Sequence, residues 1–221
     1  MYANKPVIGI AGGIGSGKSF VAALFGEAGC LVINSDEQVA EAYALPDVRE
    51  ALRAWWGDSA FKPDGAIDRR AIAGRVFADP AERVRLEQLL HPIVDRLRAA
   101  AMAAAAGDPE VLAFVWDTPL LFETGLHRQC DAVVFVETPL DVRQARVARR
   151  SGWDDAELGR REKFQLPLDN KQGMSEYNIR NTAGADQARI QVRETLSRIL
   201  AGTKSTARQP GSSVTGEGAS A

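Results

Sequence analysis

The sequence is poor in cysteine, in long apolar runs and in any excess of one charge. Cys30 and Cys130 are its two cysteines, too few for a disulfide scaffold or a cysteine zinc cluster. Both sit beside apolar residues, as expected of buried, reduced thiols. The longest apolar run at a strand-like position, Val111–Trp116, is far too short to cross a bilayer. Lys5 is not followed by the long apolar segment of a signal peptide. Lys plus Arg is 27 and Asp plus Glu is 29, a net charge of −2. No whole-chain basic excess therefore points to nucleic acid or to an anionic membrane. Neither is expected as a partner, no obligate protein partner is implied, and a cytoplasmic setting is the default. The remainder is ordinary: 221 residues, 45% hydrophobic and 25% charged, enough for one packed domain or one core with inserted lobes.

Punctuation along the chain supplies the organisation. Val7-Ile8-Gly9-Ile10-Ala11 reads as a buried strand, Gly12 to Gly17 as a Gly-rich turn, and Lys18 to Ala28 as a helix stopped at Gly29. Leu31-Val32-Ile33 is a second strand, ended by Asn34-Ser35-Asp36. Strand, loop, helix and strand in that order make the unit of a parallel α/β sheet. Residues 36–107 carry little strand signal. Ile67 to Phe77 has helical spacing, and Asp79-Pro80-Ala81-Glu82 is a helix start. His91-Pro92 interrupts the pattern before it resumes over Ile93–Ala106. Apolar strands return at Val111–Trp116 and Ala132–Val136, a weak one follows at Tyr177–Asn181, and a last helix spans about Asp186–Leu200. The stretch from Gly202 to Ala221 lacks bulky apolar residues and is expected to be disordered.

Gly12-Gly13-Ile14-Gly15-Ser16-Gly17-Lys18-Ser19 matches G-x-x-x-x-G-K-S/T, and it lies between a strand and a helix. Glycines let successive N–H groups curl inward toward phosphate oxygens, and the helix N-terminus adds positive potential. Lys18 is placed to reach the β and γ phosphates and the Ser19 hydroxyl to ligate Mg²⁺. The chain therefore binds a nucleoside triphosphate. The guanine-reading N-K-x-D is absent, since Asn170-Lys171-Gln172 is followed by Gly173, and no aspartate has Gly three residues on. A small chain with helical insertions and an Arg-rich stretch fits a metabolite kinase, which must exclude water from the γ-phosphate.

Three further groups carry chemistry. Asp36, at the carboxyl end of the second strand, is placed to take a proton from a substrate hydroxyl or, alternatively, to cap the helix that follows. Asp117 ends the Val111–Trp116 strand, where a carboxylate can order Mg²⁺-bound water or substrate; a simple turn before Pro119 is the plainer possibility. Arg146 and Arg150 lie four apart on one helix, with Arg143 and Arg149 nearby. They form a phosphate clamp or merely a solvated basic face.

These residues resemble the dephospho-coenzyme A kinase family. The opening Ile8–Ser19 is very similar to the family's start. Asp36 falls in the slot of its D-A-D segment, and Asp64–Arg69 resembles D-G-x-L-D-R. Val76–Pro80 resembles V-F-x-D-P, and Leu86-Glu87 with His91-Pro92 resembles L-E-x-x-x-H-P. Asp117–Glu123 resembles D-x-P-L-L-F-E, and Arg146, Arg150, Gln165 and Asn181 complete the order. The resemblance covers residues 7–200.

It implies ATP-dependent phosphorylation of the ribose 3′-hydroxyl of dephospho-CoA, with Mg²⁺. The implied fold is an α/β P-loop kinase: a parallel-sheet core near 5–36, 110–140 and 176–201, a helical CoA lobe near 37–109 and a helical lid near 141–175. Carried over residue by residue, Gly12, Gly13, Gly15, Ser16, Gly17, Lys18, Ser19 and Phe20 form the ATP site with Arg146 and Arg150. Asp36 is the base, Lys18 and Arg146 stabilise the transferred group, and His91, Asp117, Leu120, Leu121 and Glu123 line the acceptor side. Departures from the pattern include Ser175-Glu176 for the late A-D pair, the dense charge of Trp153 to Asn170, and two positions at the site. Phe20 stands where the family usually has Thr, and Asn34-Ser35-Asp36 keeps only the second acid of D-A-D. Rival readings are another nucleoside or nucleotide kinase and a non-catalytic ATP-binding regulator.

Overall fold

The computed structural model describes residues 1–182 and 184–206. Five strands arise from the apolar runs: β1 Val7–Gly12, β2 Cys30–Asn34, β3 Ala113–Asp117, β4 Ala132–Glu137 and β5 Tyr177–Arg180. They make one sheet in the order β2-β3-β1-β4-β5, and every pairing is parallel. β1 and β3 are buried along their whole length, which is why they read as unbroken apolar runs rather than alternating ones.

Helices cover both faces. On one, α1 (Lys18–Glu27) and α9 (Ala185–Thr206) bury Val21, Leu24, Phe25, Val192 and Leu196 against Ile8, Ile10, Val115 and Val134. On the other, Met102, near the end of α5 (Pro80–Ala104), joins Val7, Phe114 and Trp116. Leu121 and Phe122 close the rest of that face over Ala11, Val133 and Phe135.

Between β2 and β3 the chain leaves the sheet through α2 (Ser35–Ala44), α3 (Pro46–Trp56) and α4 (Arg69–Ala78) and returns along α5. This lobe has its own apolar cluster, with Val48, Leu52, Trp56, Ile72, Leu86, Leu90 and Ile93 at its centre. The start at Asp79-Pro80 is as expected: Asp79 caps α5 by accepting from the Ala81 N–H at 2.8 Å, with Pro80 in the first turn. Between β4 and β5 lie α6 (Leu140–Ser151), α7 (Asp155–Glu162) and α8 (Leu168–Gly173).

Three local expectations are corrected. α5 runs through His91-Pro92 without a break. Pro92 deprives the Gln88 carbonyl of its helical donor, but Gln88 lies on the exposed face where water can serve it, while Leu90, Ile93 and Val94 are buried on the other side. Asp36 neither ends a strand nor caps a helix. It occupies the first turn of α2, and the cap is Asn34, whose Oδ1 accepts from the N–H of Asp36 at 2.8 Å and of Glu37 at 3.4 Å. The last helix continues past Leu200 to Thr206, so Gly202 to Thr206, expected to be disordered, are helical. The rest of it, residues 207–221, lies outside the described residues. No described helix is long and apolar enough to cross a membrane.

Candidate nucleotide site

The Gly-rich turn sits at the carboxyl edge of β1 and opens α1, so it lies at a helix N-terminus. Glycine is required at several of its positions, Gly15 and Gly17 among them. Gly15 has φ +77, and a Cβ there would lie 2.8 Å from both the Arg143 carbonyl oxygen and Val147 Cγ2. Gly17 has φ +86, and a Cβ there would lie 2.3 Å from Asn181 Nδ2. The loop is thus clamped from outside by α6 and by the residue after β5.

The clamp converges on one atom. The Ser16 carbonyl accepts from Thr138 Oγ1 at 3.0 Å, Arg146 Nη1 at 3.2 Å and Asn181 Nδ2 at 2.7 Å. Arg146 Nη2 also donates to the Asn181 carbonyl at 2.9 Å. Pinning this carbonyl outward turns the N–H of the same trans peptide, that of Gly17, the opposite way, as an anion cradle requires. Ser16 Oγ is buried with no protein partner. An unpaired buried hydroxyl at such a point leaves a donor for a ligand oxygen, so the residues present fit a bound polyphosphate.

Lys18 lies across the mouth of the turn, its Nζ donating to the carbonyls of Gly12 at 3.3 Å and Gly13 at 3.2 Å. Burial pushes its pKa down to about 8, helped by the like charge of Lys171 and opposed by Asp117, Glu123 and Asp36. Five ionisable residues from four parts of the chain therefore share one field. Asp117, buried at the end of β3, is in register with Ile10 and with Asn34. Ser35 Oγ and Thr118 Oγ1 are 2.7 Å apart and tie the start of α2 to the end of β3. Asp36 is exposed on the first turn of α2, two residues beyond Asn34, the strand-end partner of Asp117. Ser19 and Phe20 are exposed in the first turn of α1.

The other expected residues are distributed less simply. Arg146 is half-buried and braces the turn through carbonyls. Arg150 is exposed in the last turn of α6. Arg143 is buried, donating to the Ile14 carbonyl at 3.2 Å and paired with Glu162 of α7. Leu120 is exposed, but Leu121 is a core residue under Gly9, where a Cβ would meet its Cδ2 at 2.6 Å. Its expected acceptor contact gives way to packing. Glu123 has one oxygen committed within the protein, while its Oε2 is buried without a partner among the described residues. Its Oε1 accepts from Lys171 Nζ at 2.8 Å and from the Leu166 N–H at 2.9 Å, and Lys171 also donates to Gln165 Oε1 at 2.9 Å. Burial pushes the Glu123 carboxyl up, but Lys171 and the Leu166 N–H more than offset this and hold it below the usual range. His91 lies exposed in mid-α5, with no hydrogen bond or ion pair joining it to this cluster among the described residues. Burial pushes both thiols, Cys30 and Cys130, up to about 12, and they stay unpaired.

Sequence reasoning does not single out Thr138 or Lys171. Thr138 follows the end of β4 at the same edge as Asp117, and that position was its available signal. Lys171 had none, being a lysine among polar neighbours.

The family model described as dephospho-CoA kinase matches residues 6–187. This chain belongs to the dephospho-CoA kinase family. Dephospho-CoA kinase of Anaeromyxobacter dehalogenans is 42% identical over 184 residues, covering 82% of this chain and 86% of the relative. That of Syntrophotalea carbinolica is 35% identical over 200 residues, covering 90% and 94%. A crystal structure from Thermus thermophilus superposes with a TM-score of 0.76 at 33% identity, covering 90% of this chain and 97% of that one. Dephospho-CoA kinase from Campylobacter jejuni, with a TM-score of 0.63 at 20% identity and coverage of 90% and 98%, supports the fold alone. The family's P-loop kinase fold is thus the setting of the Gly-rich turn, Lys18 and the acidic sheet edge.

Proposed function

We propose that this chain transfers the γ-phosphoryl group of ATP to the ribose 3′-hydroxyl of dephospho-CoA, giving ADP and CoA, the last step of coenzyme A biosynthesis. The observation that carries this reading is the meeting of Lys18, Asp36 and Asp117 beside a pinned phosphate turn, in a member of this family. The turn holds the β phosphate on backbone N–H groups, and Lys18 exchanges its two carbonyl partners for the phosphates. Asp36 accepts the proton of the 3′-hydroxyl as its oxygen bonds to the γ-phosphorus and the bond to the β-phosphate oxygen breaks. The helical lobe at 37–109 takes the acceptor, and the segment at 141–175 acts as a lid that excludes water. Ser19 and Asp117 offer hard oxygen donors that would hold Mg²⁺, which would supply charge neutralisation for the phosphates. Arg146 acts by bracing the turn, and Arg150, exposed on the same helix, is a cation placed to meet the nucleotide. Unpaired thiols suit a reducing, cytoplasmic setting.

A coupled ADP-release assay tests the reading, with dephospho-CoA beside adenosine and nucleoside monophosphates as acceptors. Dephospho-CoA should stimulate release far above the others. Stimulation by a monophosphate and not by dephospho-CoA overturns the reading in favour of a nucleotide kinase, and silence with every acceptor favours a non-catalytic ATP-binding protein.

A further inference from the structure

Two large aromatic side chains meet outside every apolar cluster of the molecule. Phe77, next to the last residue of α4, and Phe164, two residues beyond α7, are 53% and 61% exposed. Their rings nonetheless face each other edge-on, with centroids 6.1 Å apart and planes at 63°. One belongs to the helical lobe and the other to the segment between β4 and β5. Side chains this exposed add little to core packing, so the contact is not explained by the stability of either part. What it does is join them.

Both sides of the contact are tied back toward the nucleotide site. On the Phe164 side, the Arg161 guanidinium lies 3.9 Å over the Trp153 ring and 5.8 Å from that of Phe77, and its Nε donates to Glu157 at 2.6 Å. Trp153, Arg161 and Glu157 thus stiffen the ground on which Phe164 stands. Two residues after Phe164, the Leu166 N–H donates to Glu123, the same carboxylate that holds buried Lys171. Glu123 lies in the loop that follows Asp117. On the Phe77 side, α4 packs on α5, and the lobe meets the sheet edge through Ser35 and Thr118. A displacement of the 153–166 segment is therefore felt by the lobe through this ring pair, and the reverse holds.

We infer that Phe77 and Phe164 are positioning residues, a contact by which closure of the lid over the nucleotide and seating of the acceptor lobe favour one another. The inference rests on the assignment of lobe and lid made under Proposed function. If the pair joins two movements, its energy is a coupling energy shared by both ligands and is reciprocal. Loss of a half-exposed aromatic pair should weaken such coupling about threefold to tenfold.

The decisive observation is a crossed effect. In the full chain, Phe77→Ala, on the lobe, should weaken binding of β,γ-imido-ATP about threefold to tenfold, and Phe164→Ala, on the lid segment, should weaken binding of dephospho-CoA by a similar factor, both by calorimetry. The double variant should be no worse than the worse single one, melting temperatures should stay close to wild type, and Phe77→Tyr, which keeps the ring, should restore the wild-type constants. Effects confined to each residue's own ligand, or losses that multiply in the double variant, overturn the inference. If the wild type fails to bind dephospho-CoA, the proposed function fails instead, and the effect of Phe77→Ala on the ATP analogue still decides whether the contact couples the two parts.

Discussion

Replacing Lys171 by methionine isolates the ion pair that anchors the 141–175 segment to the sheet edge. Lys171 is 2% exposed and the Glu123 side chain 15%, so water can compensate little when the ammonium is removed. Breaking one side of a buried pair costs about 3–5 kcal/mol. Glu123 keeps the Leu166 N–H, which places the expected loss toward the low end, about 3 kcal/mol. For a chain of this size that lowers the melting temperature by roughly 6–12 °C. The pH dependence gives a second signature. In the wild type the Glu123 carboxyl is held below its ordinary range. It therefore contributes stability above the unfolded pKa, and that contribution is lost as pH falls through the lowered folded value. In Lys171→Met the burial that pushes the carboxyl up has lost its main opponent, and the Leu166 N–H remains. The carboxyl pKa rises relative to wild type, so protonating Glu123 on acidification costs the variant less. Thermal unfolding followed by circular dichroism at about pH 7.5 and about pH 5 should show a gap to wild type that narrows on acidification. Lys171→Met with Glu123→Leu should recover most of the loss, because no charge is then stranded. A gap below roughly 2 °C at neutral pH, or one that widens in acid, refutes the reasoning.

Three other outcomes are expected. Lys18, with a pKa of about 8, is largely neutral in the free protein at about pH 9, and bound phosphates restore its charge; calorimetry in buffers of different ionisation heat should show net proton uptake on ATP binding at about pH 9, and affinity should fall as pH rises through 8. Gly15→Ala forces a Cβ to within 2.8 Å of a carbonyl oxygen at a positive φ, which should weaken ATP binding by tenfold or more, as read by equilibrium titration, since backbone on both sides has to shift. Asp36→Asn should lower kcat by roughly 10²–10⁴-fold in the coupled assay, with an unchanged melting temperature, because the α2 cap is Asn34 and survives.

The legible part of this protein is the part whose causes are short-range. The phosphate turn is contiguous: glycines at positions needing positive φ, a lysine and a serine at fixed offsets, between an apolar run and a helical pattern. Each strand of the parallel sheet could be read because it is buried on both faces and so is apolar throughout. The cap at Asp79 and the site-edge position of Asp117 are equally local. The errors fall where neighbours outvote local preference. Pro92 stays inside α5 because the faces of that helix are decided by packing against α2, α4 and the sheet. Asn34 rather than Asp36 caps α2 because β2 extends to Asn34, in register with Asp117 of β3.

Motif order alone sufficed to place the chain in its family and to point at Lys18, Asp36 and Asp117. Spacing along a chain says nothing about which carbonyl three distant side chains will share. That Thr138, Arg146 and Asn181 converge on Ser16, that buried Lys171 is paired with Glu123, and that Phe77 reaches Phe164 follow from how lobes separated in sequence pack around one sheet edge. These contacts are long-range and depend on the whole fold being assembled, so only the tertiary structure decided them.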